Sequence, residues 1–401
     1  MAHLEIKTAE ELNQFCSELR AAEAIAFDTE FVSEHTYRSD LCLVQVAAQG
    51  QLAVIDALAV GDLAPFWTAL VGNGHETIVH AGREELVFCL DATGRRPSRL
   101  FDVQIAAGLV GYDFPAGYSS LLVKLLGQQL HKGETRTDWR RRPLSRQQIE
   151  YALDDVRHLQ AMRDKLASRL KLLGRESWME AEMSAWQDEV DAYRTRERWR
   201  RVSGVTGLSN RSLAVVRELW RWREEEAERR DMPPRRVLRD DLIIELAKRR
   251  NADLKQIRVV RGLDRGDLQR HLPKLSEAIE RALLLPESDL PRSERRETPN
   301  QINMLGQFLS SALASICRSA EIAPSIVGTA SDVRDLVAYR LGFDVGGTPV
   351  LARGWRAEVV GHLIEDLLAG KTSIRIADPL SEEPLVFEPA QKKGRTSPRE
   401  A

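Results

Sequence analysis

Ile25, Phe27 and Phe31 alternate with Ala26, Asp28 and Glu30, and short apolar runs follow at Leu41–Val46 and Leu52–Ile55. A period of two sends successive side chains to opposite faces of a pleated chain, so all three stretches are read as β-strands. Leu63–Val71 and Glu84–Leu90 shift to helical spacing, with Ile78-Val79 between them as a short buried strand. Gly72-Asn73-Gly74 and Asp113–Gly117 punctuate the region as loops. Strands first and helices interleaved predict an α/β unit, a mixed sheet flanked by helices.

From Arg146 onward the pattern is helical. Ser145 stands three residues before Gln148, the spacing of a capping box, and Glu176–Arg201 reads as a connecting helix rich in tryptophan and charge. Val216, Leu219, Trp220, Trp222 and Ala227 lie along a one-sided helix that Pro233-Pro234 ends. A polar segment from Pro286 to Pro299 separates this region from a third, which starts helical and closes with a hairpin of Ser373–Ala377 against Leu385–Phe387. The expected organisation is residues 1–192 as the α/β unit with its connecting helix, 205–285 and 299–389 as two helical domains, and 390–401 as a disordered tail.

Composition excludes more than it selects. The 401 residues are 43% hydrophobic and 29% charged, which rules out collagen-like and wholly disordered chains, and no run is long and apolar enough to span a membrane. The start of the chain lacks a signal-peptide pattern, and the four cysteines have no metal-binding or disulfide spacing, so a reducing cytoplasm is expected. The net charge of −2 conceals an asymmetry. Between Tyr193 and Arg270 there are 22 Lys and Arg against 13 Asp and Glu, a balance of +9 that leaves −11 for the remainder. An acidic part joined to a basic part fits a nuclease with a nucleic-acid-binding module, and ordinary variation between domains explains it equally well.

The chemistry sits on carboxylates. Asp28 and Glu30 are two apart on a strand and share a face; Tyr151 and Asp155 are i and i+4 on a helix and do the same. Asp102 follows two apolar residues and precedes a helix, which taken alone describes an N-cap. Each piece by itself is ordinary. Together they form an ordered set of hard oxygen ligands suited to Mg²⁺ or Mn²⁺, as phosphodiester hydrolysis with two such ions needs.

The set, with its surroundings, resembles the ribonuclease D family of the DEDDy 3′–5′ exonuclease superfamily. The likeness lies in Phe27–Phe31 with Thr36-Tyr37 and Leu41–Gln45, in Val79–Leu86 leading to Phe101–Gln104, in Arg136–Leu144, and in Tyr151–Val156. Two departures are Glu85 in place of Asp and Val103 in place of Thr, and neither is read as touching a metal-binding position. Residues from Leu208 to Leu285 are similar to an HRDC domain, and Gly354–Glu358 to part of a second one.

The resemblance implies an α/β fold, a ribonuclease H-like mixed sheet with flanking helices followed by two mainly α-helical HRDC-like domains. It implies that Asp28 bridges two divalent ions (Mg or Mn), that Glu30 and Asp155 complete the site of the ion activating water, and that Asp102 holds the other. Tyr151 orients the nucleophile, and Lys132, Arg136 and Arg142 are candidates for phosphate contacts. The expected activity is 3′–5′ removal of 5′-mononucleotides from RNA with a free 3′ end, with precursor tRNA as the expected target of a monomeric cytoplasmic enzyme. Within the basic domain Trp220 is expected in the core, with Trp222 the less certain of the two. A DNA-directed exonuclease and an inactive RNA-binding protein are the alternatives.

Overall fold

The computed structural model describes residues 3–72, 74–130, 137–263, 266–292, 299–381 and 383–390. Up to Thr195 the chain builds one mixed sheet with helices around it. Its strands are β1 (Leu4–Ile6), β2 (Ala24–Val32), β3 (Asp40–Ala48), β4 (Gln51–Asp56), β5 (Glu76–Val79) and β6 (Leu100–Asp102), in the order β1-β4-β3-β2-β5-β6. β2, β3 and β4 form an antiparallel meander, whereas β5 runs parallel to both β2 and β6. The four expected strands fall within β2 to β5. β1 and the helix Ala9–Leu19 were not anticipated, although Leu12, Phe15, Cys16 and Leu19 are buried at helical spacing behind a Thr8–Glu11 capping box.

The register places the site. Parallel pairing of β2 with β5 ends at Ala26 opposite Ile78, and pairing of β5 with β6 ends at Val79 opposite Asp102. β2 runs on beyond that edge, paired with β3 alone, and carries Asp28 and Glu30 with it. Carboxyl ends of parallel strands are where open α/β sheets leave a crevice. Phe27 anchors the strand from the other face, fully buried and edge-on to Phe66 and Trp67 at 5.8 and 6.2 Å. Burial of such a ring stabilises the strand by about 2–3 kcal/mol.

The helical regions divide differently from expectation. Residues 199–290 have a core of their own, built from the helices Asn210–Arg229, Asp240–Arg249 and Leu272–Leu284. Trp222 belongs to that core and packs near His271, while Trp220 is only half-buried, the reverse of the expected assignment. The third region has no separate core: Ile302, Leu313, Ile326, Val337, Trp355 and Ile364 continue the hydrophobic cluster of the α/β unit. The hairpin is present as β7 (Thr372–Ile376) and β8 (Leu385–Pro389). The expected disordered tail lies, apart from Ala390, outside the described residues.

A polar latch fixes that third region. Arg175 donates to the carbonyls of Leu109 and Glu321 at 2.7 Å each, and also to that of Ala320. Trp178 and Trp355 stack at 5.4 Å, and Arg356 forks onto Glu182 at 2.7 and 2.8 Å. Gly108 lets the two parts approach, because a Cβ there would lie 3.0 Å from Phe114 and 3.2 Å from Ile326.

Candidate active site

Asp28 and Glu30 project from the free end of β2, and the helix Arg146–Arg157 lies against β2, β3 and β4. Ser145 starts that helix by accepting the Gln148 N–H while Gln148 returns a bond to the Ser145 N–H. Ile149, Ala152, Leu153 and Val156 are buried, which leaves Tyr151 and Asp155 on the flank that meets the β2 acids. Trp139 is buried beside Tyr151, with ring centroids 6.2 Å apart. Asp154 points away and pairs with Arg157 at 2.5 Å.

The electrostatics bind these groups into one set. Burial, then Asp155 and Glu30, push the Asp28 carboxyl up to about 8. Glu30 is likewise pushed up to about 8 by burial, Asp155 and Glu85, and Asp155 to about 7 by burial and Asp154. The Tyr151 phenol is pushed up to about 12 by burial and then by Asp155, Glu30 and Asp28. Gln45, fully buried, donates to Asp28 at 3.3 Å. Among the described residues no Lys or Arg pairs with any of these acids. No three His, Cys, Asp or Glu side chains among the described residues converge on one coordination point.

The structure separates Asp102 from the group. Its carboxylate accepts the N–H groups of Gly82 at 2.9 Å, Ala81 at 3.2 Å, Gln104 at 2.8 Å and Ile105 at 3.4 Å. It thus caps the helix Val103–Leu109 and also braces the turn after β5. The fourth member is Glu85 instead. It is buried, accepts the Thr29 hydroxyl at 2.5 Å, and its carboxyl is held well above the usual range by burial and Asp28. Glu85, expected to touch none of the acid positions, thus stands against Asp28, whereas Asp102, expected to hold one of the ions, is engaged by four backbone N–H groups. The signal was the turn itself. Ala81 takes φ 54°, and a Cβ on Gly82 would lie 2.4 Å from the Val79 side chain, so His80-Ala81-Gly82 is shaped to start a helix whose third residue is Glu85.

The expected phosphate contacts fare unequally. Lys132 and Arg136 lie outside the described residues. Arg142 has all five N–H donors engaged, on both Asp56 oxygens at 2.5 and 2.7 Å and on the carbonyls of Cys42, Trp139 and Arg141. It fastens the Trp139 segment to the sheet and has no donor left for a phosphate.

A buried set of oxygen ligands without a cationic partner fits hard divalent ions, which supply the missing positive charge. Comparison with known proteins agrees in kind. The profile described as 3′-5′ exonuclease matches residues 4–171, and that of the HRDC domain residues 212–279. Ribonuclease D of Gluconacetobacter diazotrophicus is 35% identical over 360 residues, covering 89% of this chain and 90% of that one. Ribonuclease D of Granulibacter bethesdensis is 35% identical over 376 residues, covering 91% and 92%. The crystal structure of Escherichia coli RNase D, described as an exoribonuclease involved in structured RNA processing, superposes with a TM-score of 0.80 at 28% identity, covering 92% and 99%. With that breadth of likeness over both the catalytic unit and the helical regions, the chain belongs to the ribonuclease D family of 3′–5′ exoribonucleases.

Proposed function

We propose that the chain shortens RNA from a free 3′ end with the help of two divalent cations, releasing 5′-mononucleotides. Asp28, Glu30, Asp155 and Glu85 hold the ions, and Asp102 acts from behind by fixing the turn that presents Glu85. These carboxylates would be kept ionised by Mg²⁺ or Mn²⁺ when bound, and the ions would supply a water acidified toward neutrality. Tyr151 keeps its proton, because its phenol is pushed up to about 12, and so serves as a donor that orients the attacking oxygen rather than as a base. The observation that carries the proposal is the clustering of Asp28, Glu30 and Asp155, largely buried and with Asp155 acting on both others, without a Lys or Arg paired to any of them among the described residues.

Maturation of precursor tRNA 3′ ends by a monomer in the cytoplasm is the proposed setting. Its support is the processing of structured RNA by the Escherichia coli relative. No helix among the described residues is long and apolar enough to cross a membrane.

The test uses 5′-labelled single-stranded RNA and matched DNA with Mg²⁺, Mn²⁺ or EDTA, beside Asp155→Asn. A metal-dependent ladder from the RNA 3′ end, absent in the variant, is expected. Shortening of DNA alone would move the substrate to DNA, and binding without shortening of either would leave a binding protein.

A further inference from the structure

A cavity of 960 Å³ opens between the exonuclease unit and the basic HRDC unit. Tyr193, in the last turn of the helix Glu176–Thr195, stands in its wall with three guanidinium groups around the ring: Arg83 and Arg198 at 4.4 Å and Arg201 at 5.0 Å. An aromatic face attracts one or two cations, but three crowded around one ring repel each other. Neighbouring arginines of the same walls are neutralised, Arg38 by Glu228, Arg194 by Asp91, and Arg223 by Asp240. Among the described residues none of the three around Tyr193 has a salt bridge, although Glu84 and Glu224 line the same walls.

Glu224 acts on Arg198 only from beyond salt-bridge distance, and convergent guanidinium groups without a directly paired carboxylate are suited to phosphate, whose oxygens match their planar fork. The place is informative as well. Phe88 lines the cavity and its ring stands 5.7 Å from that of Phe31, the residue after Glu30 on β2. Half-buried Trp220 lines the same cavity, and an indole is a surface on which a base stacks without regard to sequence. A single free phosphate would occupy a small part of this volume, whereas a strand uses both features.

We propose that this cavity is a subsite for the single-stranded RNA backbone upstream of the 3′-terminal nucleotide, with Arg83, Arg198 and Arg201 on phosphates and Trp220 under a base. The identity of the ligand rests on the exoribonuclease reading above.

Binding of fluorescent single-stranded RNA to full-length Asp155→Asn is measured across a salt series. Adding Arg198→Ala and Arg201→Ala should weaken binding about tenfold or more at low salt and flatten the log–log salt slope by about 1.4, since each phosphate contact on a single strand contributes about 0.7. Arg83→Gln alone should flatten it by about 0.7, and Lys at 198 and 201 should keep the slope. Unchanged affinity and slope in a folded double variant overturns the subsite; should that variant not fold, the Arg83→Gln slope decides. Displacement of RNA by inorganic phosphate at matched ionic strength would also overturn it, in favour of a free-phosphate site. RNA shortening by the unaltered protein is read separately. Shortening with unchanged slopes removes the subsite and spares the function, and lost slopes without shortening do the reverse.

Discussion

The two regions that follow the catalytic unit relate to it in opposite ways. The HRDC unit has its own core and meets the exonuclease unit through polar contacts such as Arg38 on Glu228 and the Tyr37 N–H on Asp231, and through the Tyr37 side chain, which packs against that core. The region after Pro299 has no core apart from the catalytic unit's and is latched to it by Arg175 and Arg356. Apolar burial is non-directional and strong, while exposed ion pairs are weak and screened. The C-terminal region is thus part of the catalytic body, and the HRDC unit is an attachment.

Truncating one tryptophan on each side probes that difference most strongly. Trp355→Ala should cost about 3–5 kcal/mol and lower the transition of the catalytic unit, with nuclease activity lost at the same temperature. Trp222→Ala should cost a similar amount in the HRDC unit alone, giving an early calorimetric transition while dinucleotide hydrolysis persists. A single shared transition in both variants would erase the distinction.

The pH response should split the same way. Asp28, Glu30 and Asp155 have carboxyls raised to about 8, 8 and 7, so in EDTA their contribution to stability is intact at low pH and fades as pH climbs from about 4 to 8. Mg²⁺ or Mn²⁺ should restore that loss, most at pH 8. Glu226 of the HRDC unit behaves inversely. Arg229 and then Arg230 hold its carboxyl down at about 2 against the cost of burial, so its contribution is present above about pH 4.5 and lost toward pH 2. Thermal denaturation across pH, with and without EDTA, reads both.

Smaller effects complete the comparison. Arg356→Ala removes a forked pair with Glu182 and should destabilise the catalytic body by about 1.5–3 kcal/mol in chemical denaturation. Arg38→Ala breaks an exposed pair at the HRDC seam and should cost about 0.2–1 kcal/mol. If the second loss exceeds the first, the seam is tighter than its contacts suggest.

Alternation and helical spacing made the meander and the Arg146–Arg157 helix legible, and with them Asp28, Glu30, Tyr151 and Asp155, because each pair is local in sequence. Glu85 was harder to assign. Its role depends on the pairing of β2 with β5 and on the turn at Ala81-Gly82, which bring together residues 55 positions apart. Asp102 matched the composition of a metal ligand, yet four backbone N–H groups already occupy it. Arg142 looked like a phosphate binder for the same reason, since charge is visible in a sequence and its partner Asp56, 86 residues away, is not. The basic excess of residues 193–270, which the sequence left open between a binding surface and ordinary variation, is reduced by pairing, because Arg221, Arg229, Arg230 and Arg249 are among those neutralised within their own unit.

The catalytic body is completed only by residues beyond 299, so the HRDC unit is an insertion with both of its chain ends returning to the same partner. Those ends lie side by side, joined where Arg200 donates to the carbonyl of Arg292 at 3.0 Å. With entry and exit beside each other, excising the HRDC unit and rejoining the chain between them should leave the catalytic body whole, whereas truncation at the same entry point would remove part of its core.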